Sequence, residues 1–389
     1  MNEKTKKIWR ILGAVSAVLA LVCALSLYGL SHTLDSQRAA ERWRGESRER
    51  FAQVSCYFPI GSELTTEALF LFREGIDARL LDAGLEEPES GSYWTDGYSA
   101  QGSLSVDGER GSGEADLFAV GGDYFLFHPL RLLSGSYISS EDLMSDRVVL
   151  DRELAWRLFG GVDLEGLSVT IRGRPYYIAG VVAREQDTAD QKAYSGTGAI
   201  YMDYDTAQAL GAVEGISCYE LVCADPISGF ARNLVAESMS PDGSFPVVEN
   251  STRFSLSGIF DVIGQFGERS MNRYGVLYPY WENAARLIED YMGLMLVLLL
   301  LFLILPAVLL VIFLRRAAIA GKNAARRLWQ AYEERADRRY AARMQQRGAH
   351  EKPREAKKPR EVKKKRPMKK PRAKKAEAEA GDEGGSGEE

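Results

Sequence analysis

The sequence has little of what metal and nucleophile chemistry requires. It holds three histidines and four cysteines among 389 residues. No two histidines have metal-ligand spacing, and neither an H-E-x-x-H nor a C-x-x-C motif occurs. A G-x-S-x-G nucleophile elbow and a D-x-D-x-D-G calcium loop are also absent. These absences exclude the familiar zinc, calcium and serine-hydrolase sites, so we predict no catalytic, metal or cofactor residues.

A Walker A motif, G-x-x-x-x-G-K-S/T, is missing too. The backbone and lysine of that motif bind nucleotide phosphates, so we do not expect this chain to supply its own ATPase. His128 lies beside Pro129 in the apolar stretch FLFHP, which favours a packed structural histidine over a catalytic base. Ser255 and Ser257 fall in a helical pattern and are interpreted as packing or capping residues. The sequence therefore predicts no enzyme.

Two long uncharged runs, residues 11–30 and 291–314, are present instead. About 20 apolar residues in a helix cross a hydrocarbon core of about 30 Å, and in lipid a helix satisfies its own backbone polar groups. Both runs are predicted transmembrane helices. Pro306 lies inside the second run. It is either a functional hinge or a tolerated kink, since membrane helices accept proline more readily than soluble ones.

The first run has an alternative interpretation as a cleaved signal peptide, because residues 1–10 are basic. The apolar core of a signal peptide is about 7–15 residues long, which is shorter than this run. No small-x-small cleavage site follows Leu30. We therefore expect an uncleaved anchor.

Charge predicts the orientation of the chain. Residues 1–10 carry a net charge of +3 and residues 315–389 a net charge of +12, although the whole chain carries −5. Basic flanks stay in the cytoplasm. We therefore predict a two-pass protein of the plasma or inner membrane, with both termini cytoplasmic and residues 31–290 outside.

The predicted external region has the pattern of an α+β domain, with short strands and helices mixed along the chain. Residues 31–52 are polar and predict a helical stalk that continues from the first span, although Gly45 weakens the helix. Residues 185–197 predict a loop. The predicted strands lie near 52–60, 93–120, 147–150, 167–171, 176–182, 198–202, 216–223 and 245–249. The predicted helices lie near 69–80, 152–159, 228–239, 253–266 and 280–290.

Three cysteines fall in this region, namely Cys56, Cys218 and Cys223. Cys218 and Cys223 are five residues apart in a strand-like stretch, so they point to opposite faces and do not bond to each other. A disulfide from Cys56 to either Cys218 or Cys223 is one prediction. Buried free thiols are the alternative, which we favour because a domain of this size needs no covalent staple.

The predicted cytoplasmic region has two parts. Residues 315–347 are rich in alanine and arginine and predict a helix. Residues 348–389 are basic and then acidic, with too few apolar residues to form a core, which predicts a disordered tail. The basic part of the tail is suited to anionic lipid, and we expect no specific nucleic acid. A solvated tail without a partner is the alternative.

An ordered series of motifs runs through residues 118–184. It reads G-D-Y-F, L-S-G-S-Y-I, R-V-V-L-D-R-E-L-A-W-R-L-F-G, D-L-E-G-L-S-V-T-I and I-A-G-V-V. With its placement between two apolar runs, this series resembles the periplasmic core domain of MacB-type transporter permeases, a family that includes FtsX-like permeases. The resemblance extends over roughly residues 8–314.

The resemblance implies an external domain of two subdomains on a helical stalk, and a partnership with a separate cytoplasmic ABC ATPase. It also implies a second permease chain or a homodimer partner. Members of the family typically have four spans, whereas this sequence has two, so an atypical accessory subunit is expected. Lys322, Arg326 and Arg327 lie where family members contact the ATPase. Ordinary basic flanking charge is the alternative interpretation of these three residues.

We therefore predict a non-catalytic membrane subunit of an ABC-type export or mechanotransmission complex. The alternative is a stand-alone membrane-anchored receptor or scaffold that binds a ligand or an envelope partner. The two missing spans favour that alternative.

Overall fold

The computed structural model describes residues 2–59, 61–62, 64–85, 91–139, 142, 144–194, 197–269 and 275–348. Contacts divide the chain into two units, Met1–Ile312 and Phe313–Glu389. The predicted basic and acidic tail, beyond Gly348, lies outside the described residues.

The described helices alternate with short strands between two long helices. The helices are α1 (Glu3–Leu30), α2 (Ala39–Arg44), α3 (Thr66–Asp82), α4 (Tyr124–Phe127), α5 (Arg152–Leu158), α6 (Thr188–Ala193), α7 (Tyr204–Ala209), α8 (Phe230–Met239), α9 (Leu256–Gly264), α10 (Phe266–Arg269) and α11 (Tyr280–Gly348). The strands are β1 (Phe51–Tyr57), β2 (Trp94–Gly108), β3 (Gly111–Gly122), β4 (Arg131–Gly135), β5 (Arg147–Asp151), β6 (Ser168–Ile171), β7 (Arg174–Ala183), β8 (Gly198–Asp203), β9 (Cys218–Ala224) and β10 (Val247–Glu249). We call residues 31–279 the sheet domain.

The ten described strands belong to one sheet in the order β10-β1-β9-β2-β3-β8-β5-β7-β4. The pairs β3–β8 and β5–β7 are parallel, and the others are antiparallel. β6 lies off this path and pairs with both β2 and β7, so six of the strands form a closed ring. The α+β prediction is confirmed. All ten described strands share this one sheet. The division into two subdomains that the resemblance implies stays a prediction.

Each face of the sheet has its own apolar core. On one face, α3, α5 and α8 contribute buried residues such as Leu69, Leu154 and Leu234. On the other face, α4 and the beginning of α11 contribute Tyr124 and Trp281. The start of the second long helix is therefore part of the core of the sheet domain.

The predicted disulfide is not formed, and all four cysteines are buried free thiols. Cys56 faces the first core, whereas Cys218 faces the second, because Cys218 pairs with Tyr57 in the ladder. Cys223 shares a face with Cys56 but pairs with Ala52. Four residues along a strand amount to about 13 Å, which is roughly twice the reach of a disulfide.

The prediction of a helix continuing from the first span through residue 52 is wrong. α1 ends at Leu30, and only a single 3-10 turn (Asp35–Gln37) and the six-residue α2 precede β1. The buried Gln53 of β1 satisfies the backbone groups that this break releases. Its Oε1 accepts from the Ala39 N–H at 2.9 Å, and its Nε2 donates to the Ser36 carbonyl at 2.7 Å.

Side chains cap the first turns of several described helices. The Thr65 hydroxyl caps α3 by accepting from the Ala68 N–H, and Asp151 caps α5 in the same way through Leu154. The predicted loop at 185–197 instead contains α6, which Asp187 caps by accepting from two backbone N–H groups. A short polar helix of this kind has no apolar periodicity to reveal it.

Among the described helices, α1 and α11 are long and apolar enough to cross a membrane. Pro306 has no N–H, so the Phe302 carbonyl one turn earlier loses its usual helical donor. The Ser16 hydroxyl of α1 donates to that carbonyl at 2.6 Å. A Cβ on Gly13 would collide with Leu309, so the two helices approach closely there. The proline is thus accommodated by the neighbouring helix, as expected in lipid.

We expect Ser16→Ala to destabilise the pair of spans by about 0.6 kcal/mol and at most about 1.7 kcal/mol, the range measured for such hydrogen bonds. Pro306→Ala restores an N–H donor for the Phe302 carbonyl, so Ser16→Ala should cost less in that background. SDS unfolding of the full-length protein measures both costs.

Ser26→Ala is the matched control, because Ser26 lies in the same span and makes no side-chain hydrogen bond among the described residues. An equal cost of Ser16→Ala in both backgrounds would contradict the assignment.

Candidate functional site

The first three turns of α11 lie against the sheet domain and lead directly into the apolar run 291–314. We call residues 280–291 the junction segment. Trp281, Glu282 and Ile288 are buried there. A helix segment that carries buried carboxylates between a soluble core and an apolar span needs partners for those charges.

Arg253 supplies the central partner. It lies between β10 and α9, and only 6% of the residue is exposed. Its Nη1 donates to Glu282 Oε2 at 2.8 Å and to Gln37 Oε1 at 3.0 Å, and its Nε donates to Glu289 Oε1 at 2.8 Å. One guanidinium therefore holds two carboxylates that lie seven residues, or about two turns, apart on one helix.

Two further arginines balance the remaining charge. Arg286 Nε donates to Glu282 Oε1 at 2.8 Å. Arg269, at the end of α10, pairs with Glu289 and donates to Asp290 Oδ1 at 2.5 Å. With Arg253, three arginines face three carboxylates, so the cluster as a whole carries no net charge.

Burial alone would raise the pKa of Glu282, but Arg253 and Arg286 outweigh burial and hold the pKa below its ordinary value of 4.5. Burial alone would lower the pKa of Arg253, and its carboxylate partners leave it raised instead. Because the folded pKa of Glu282 is lowered, its ionised form stabilises the protein above pH 4.5. That contribution is lost as the pH falls through the folded pKa.

A chain of hydrogen bonds connects this cluster to the sheet. The Tyr57 hydroxyl of β1 donates to Glu282 Oε2 at 3.0 Å. From Arg253, a weaker contact of 3.4 Å reaches Asn250, whose amide donates to the Ser55 hydroxyl of β1 at 2.6 Å. Polar contacts therefore link α11 to the sheet by two routes.

The second route continues inwards from Ser55. Its hydroxyl donates to Glu220 Oε1 of β9 at 3.1 Å, and His128 Nε2 lies 2.5 Å from the other oxygen of Glu220. The His128 ring packs against Trp281 of the junction segment, with 4.1 Å between ring centroids. His128 is fully buried, in agreement with the predicted packed histidine.

The opposite side of the junction segment meets an acidic and aromatic region. The Tyr280 hydroxyl donates to Glu185 Oε1 at 3.1 Å, and Tyr194 stacks on Tyr280 at 4.3 Å and also donates to Glu185. Burial raises the pKa of Glu185. Close by, burial, a hydrogen bond to Asp187 and neighbouring carboxylates raise the pKa of Asp190 to about 10. Asp190 is therefore a neutral acid at pH 7.

Within the described residues, no group of three or more His, Cys, Asp or Glu side chains could hold a metal ion. A cavity of about 440 Å³ lies beside Glu185, Arg184 and Tyr194. Arg184 donates to Asp151 at 2.6 Å and lies over the Tyr194 ring at 4.6 Å, so its charge is already matched by protein groups. Among the described residues, buried ion pairs and hydrogen bonds connect the junction segment to the sheet.

Residues 36–226 match the model of the MacB-like periplasmic core domain. These residues form a MacB-like periplasmic core domain. Together with the two flanking apolar helices, this match supports the conclusion that the chain is a membrane component of an ABC-type transporter. Arg253, Glu282 and Glu289 lie beyond the matched residues.

Solved structures with similarity include the periplasmic region of MacB from Actinobacillus actinomycetemcomitans, at 18% identity and a TM-score of 0.39 over 60% of this chain and 100% of that chain. Another is the extracellular domain of the noncanonic ABC-type transporter YknZ from Gram-positive bacteria. It has 15% identity and a TM-score of 0.35 over 51% of this chain and 99% of that one. No curated protein matches the chain.

The sequence-predicted residues lie in separate places. Ser255 caps α9 by accepting from the Gly258 N–H, and Ser257 contacts the Ser255 hydroxyl at 3.0 Å, as expected of capping residues. Lys322, Arg326 and Arg327 are exposed on the later part of α11, in the predicted helix 315–347. Their contact with an ATPase stays a prediction.

Sequence reasoning missed the junction. A usable signal was present, because Glu282 and Glu289 recur at helical spacing on the face that also carries Ala285 and Met292. Acidic residues on the apolar face of a helix indicate buried partners. The partner Arg253 lies about 30 residues earlier in the chain, and one sequence does not reveal that pairing.

We expect Arg253→Ala to lower the free energy of unfolding by about 3–5 kcal/mol, since it leaves Glu282 and Glu289 buried without their shared cation. The control Arg79→Ala removes an exposed pair with Glu237 and should cost at most about 1 kcal/mol. Thermal unfolding in detergent measures both variants.

Adding Glu282→Gln and Glu289→Gln to Arg253→Ala should recover part of the loss, because the uncompensated charges disappear. A cost of Arg253→Ala no larger than that of the control would contradict the structural role of the cluster.

Asp190→Asn should stabilise the protein at pH 7 by roughly 1 kcal/mol or more. The pKa of Asp190 is raised in the folded state from 3.8 to about 10, so the folded state binds the proton more tightly. Stability therefore falls as the pH rises from 3.8 towards 10, and the amide removes that loss while keeping a donor for Asp187. The gain should vanish below about pH 4.

Unfolding at pH 4, 7 and 9 measures this dependence, with the exposed Asp261→Asn as control. A gain that does not change with pH would contradict a neutral Asp190.

Proposed function

We propose that the chain is a non-catalytic membrane subunit of an ABC-type export or mechanotransmission complex. In this proposal a separate ATPase drives the complex, and α11 couples the sheet domain to the membrane. Both termini lie in the cytoplasm and the sheet domain lies outside, in the plasma or inner membrane. A second permease chain, or a second copy, completes the set of spans.

The junction carries this proposal. A sheet domain tethered loosely to its spans would respond weakly to their movement. Here α11 passes without a break in the helix from the junction segment into the apolar run. The junction segment is held by buried ion pairs through Arg253 and by the packing of Trp281 in the sheet core. A shift or rotation of α11 must therefore displace β1 and β9 or break buried charge pairs.

The ATPase contact in this proposal lies on the part of α11 that carries Lys322, Arg326 and Arg327. These side chains are exposed and have no acidic partner among the described residues. Lys322 and Arg326 are four residues apart and share one face of the helix. The basic tail beyond this segment is proposed to contact anionic lipid at the inner leaflet.

We expect a mild-detergent pull-down of the full-length protein to recover an ABC ATPase and a second permease chain. Replacing Lys322, Arg326 and Arg327 together by glutamate should reduce the recovered ATPase at least about tenfold, since it reverses the sign of the proposed contact. Mass spectrometry with a labelled reference measures the ratio of ATPase to bait.

The control reverses three other exposed arginines of the same helix, Arg338, Arg339 and Arg343, and should leave the ratio unchanged. Equal loss in both variants would assign the effect to net charge rather than to the proposed contact. Recovery of the chain without any ATPase would instead favour the stand-alone receptor or scaffold.

A further inference from the structure

α9 presents an apolar surface that the rest of the sheet domain does not cover. The helix reads LSGIFDVIG and packs Ile259 and Val262 against its surroundings. Leu256 and Phe260 on the same helix are 66% and 52% exposed. Large apolar side chains that are exposed next to one another on a helix indicate a contact with a membrane or with another protein.

The position of α9 along the axis of α11 is fixed by contacts between the two helices. Ile263 lies within van der Waals reach of Gly293, since a Cβ built there would be 3.5 Å from Ile263 Cγ1. Ile259 belongs to one buried cluster with Met292 and Leu296. Gly293 is the third residue of the apolar run 291–314, so α9 lies level with one end of that run.

The faces of α9 are arranged as in a helix that lies flat on a membrane. At 100° per residue, Val262, Ile259, Ile263, Leu256 and Phe260 form one continuous apolar arc of about 160°. One side of this arc packs on α11, and the other side is exposed. The polar residues Ser257 and Asp261 lie on the remaining face and are exposed.

Ion pairs of Arg253 and Arg269 hold the chain on both sides of α9. Before α9, Arg253 binds Glu282 and Glu289 of the junction segment. After α9, Arg269 binds Glu289 and Asp290. α9 is therefore held beside α11 and cannot withdraw its apolar face without breaking these ion pairs.

We propose that α9, together with the exposed Phe266 that follows it, lies in the outer interface of the bilayer, with Leu256, Phe260 and Phe266 in contact with lipid. The inference rests on the proposed insertion of the second apolar run. Interfacial helices bury their apolar face about 5–10 Å into the boundary between headgroups and acyl chains. α9 has the dimensions and the polarity that this position requires.

Lipid fits this surface better than a second copy of the chain. Two exposed apolar side chains on the nine-residue α9 and a third at the start of α10 provide far less than the roughly 800 Å² per partner of a stable protein interface. Leu294, the residue after Gly293 on the span, is also exposed. Tyr291 accepts from Lys192 at 3.0 Å at the same level, which is the aromatic and cationic pairing typical of a membrane boundary.

Site-specific labelling of the full-length protein tests the proposal. Phe260→Cys and Leu256→Cys carry an environment-sensitive fluorophore, and Ser257→Cys on the polar face of α9 is the matched control. The proteins are reconstituted into phosphatidylcholine vesicles with lipids that carry a nitroxide near the headgroup. Native cysteines are buried, so the parent chain measures background labelling.

We expect the nitroxide lipid to quench the labels at 256 and 260 at least about twofold more strongly than the label at 257. Equal quenching at all three positions would overturn the proposal. Protection of position 260 that increases with the ratio of protein to lipid would also overturn it, in favour of a second copy of the chain.

A label at Leu301→Cys, in the middle of the second run, tests membrane insertion of that run separately from the interfacial position of α9. Quenching there by a nitroxide deep in the acyl chains, without quenching at 260, overturns the interfacial helix alone. Absence of quenching at 301 overturns membrane insertion and the interfacial helix together. Neither result depends on whether an ATPase is recovered in the pull-down.

Discussion

The pairing of Arg253 with two buried carboxylates is the interaction on which the rest of the arrangement depends. A buried ion is costly unless partners and hydrogen bonds replace its water, so none of these groups can change position alone. Arg253 is contributed by the segment after β10, and Glu282 and Glu289 by α11. The position of the second long helix is therefore set by electrostatic balance as well as by apolar packing.

Local patterns were enough to predict most elements of the sheet domain. The helix predicted near 69–80 follows from the apolar spacing of residues such as Leu69 and Ile76, and β2 and β3 correspond to the strands predicted near 93–120. The prediction that the helix of the first span continues through residue 52 was wrong, and Gln53 of the following strand β1 bonds to the backbone of Ser36 and Ala39 where the helix is broken. The strand order and the junction depend on contacts between distant parts of the chain, which propensity and periodicity do not encode.

The surroundings of Pro306 also depend on a residue far away in the sequence. Its sequence context permitted both a hinge and a tolerated kink, and the residue that completes its surroundings lies 290 positions earlier. The Ser16 hydroxyl replaces the helical N–H that proline lacks. In lipid, where water cannot satisfy the free carbonyl, such a donor changes a local defect into a contact between the spans. The two long helices are thus joined within the apolar region as well as through the sheet domain.

These connections together restrict how α11 can move. At the start of the helix, Trp281 is packed in the sheet core and Glu282 is bonded to Tyr57. Glu289 lies two residues before the apolar run begins. It is shared by Arg253 and Arg269, which flank α9. A displacement of α11 along its axis would pull these two arginines in the same direction and carry α9 with them. A rotation would separate Glu282 and Glu289 from Arg253 together, because both lie on one face. The buried charges therefore resist rotation more strongly than a translation that moves the whole cluster as a body, and a translation of that kind would reach the sheet through β1.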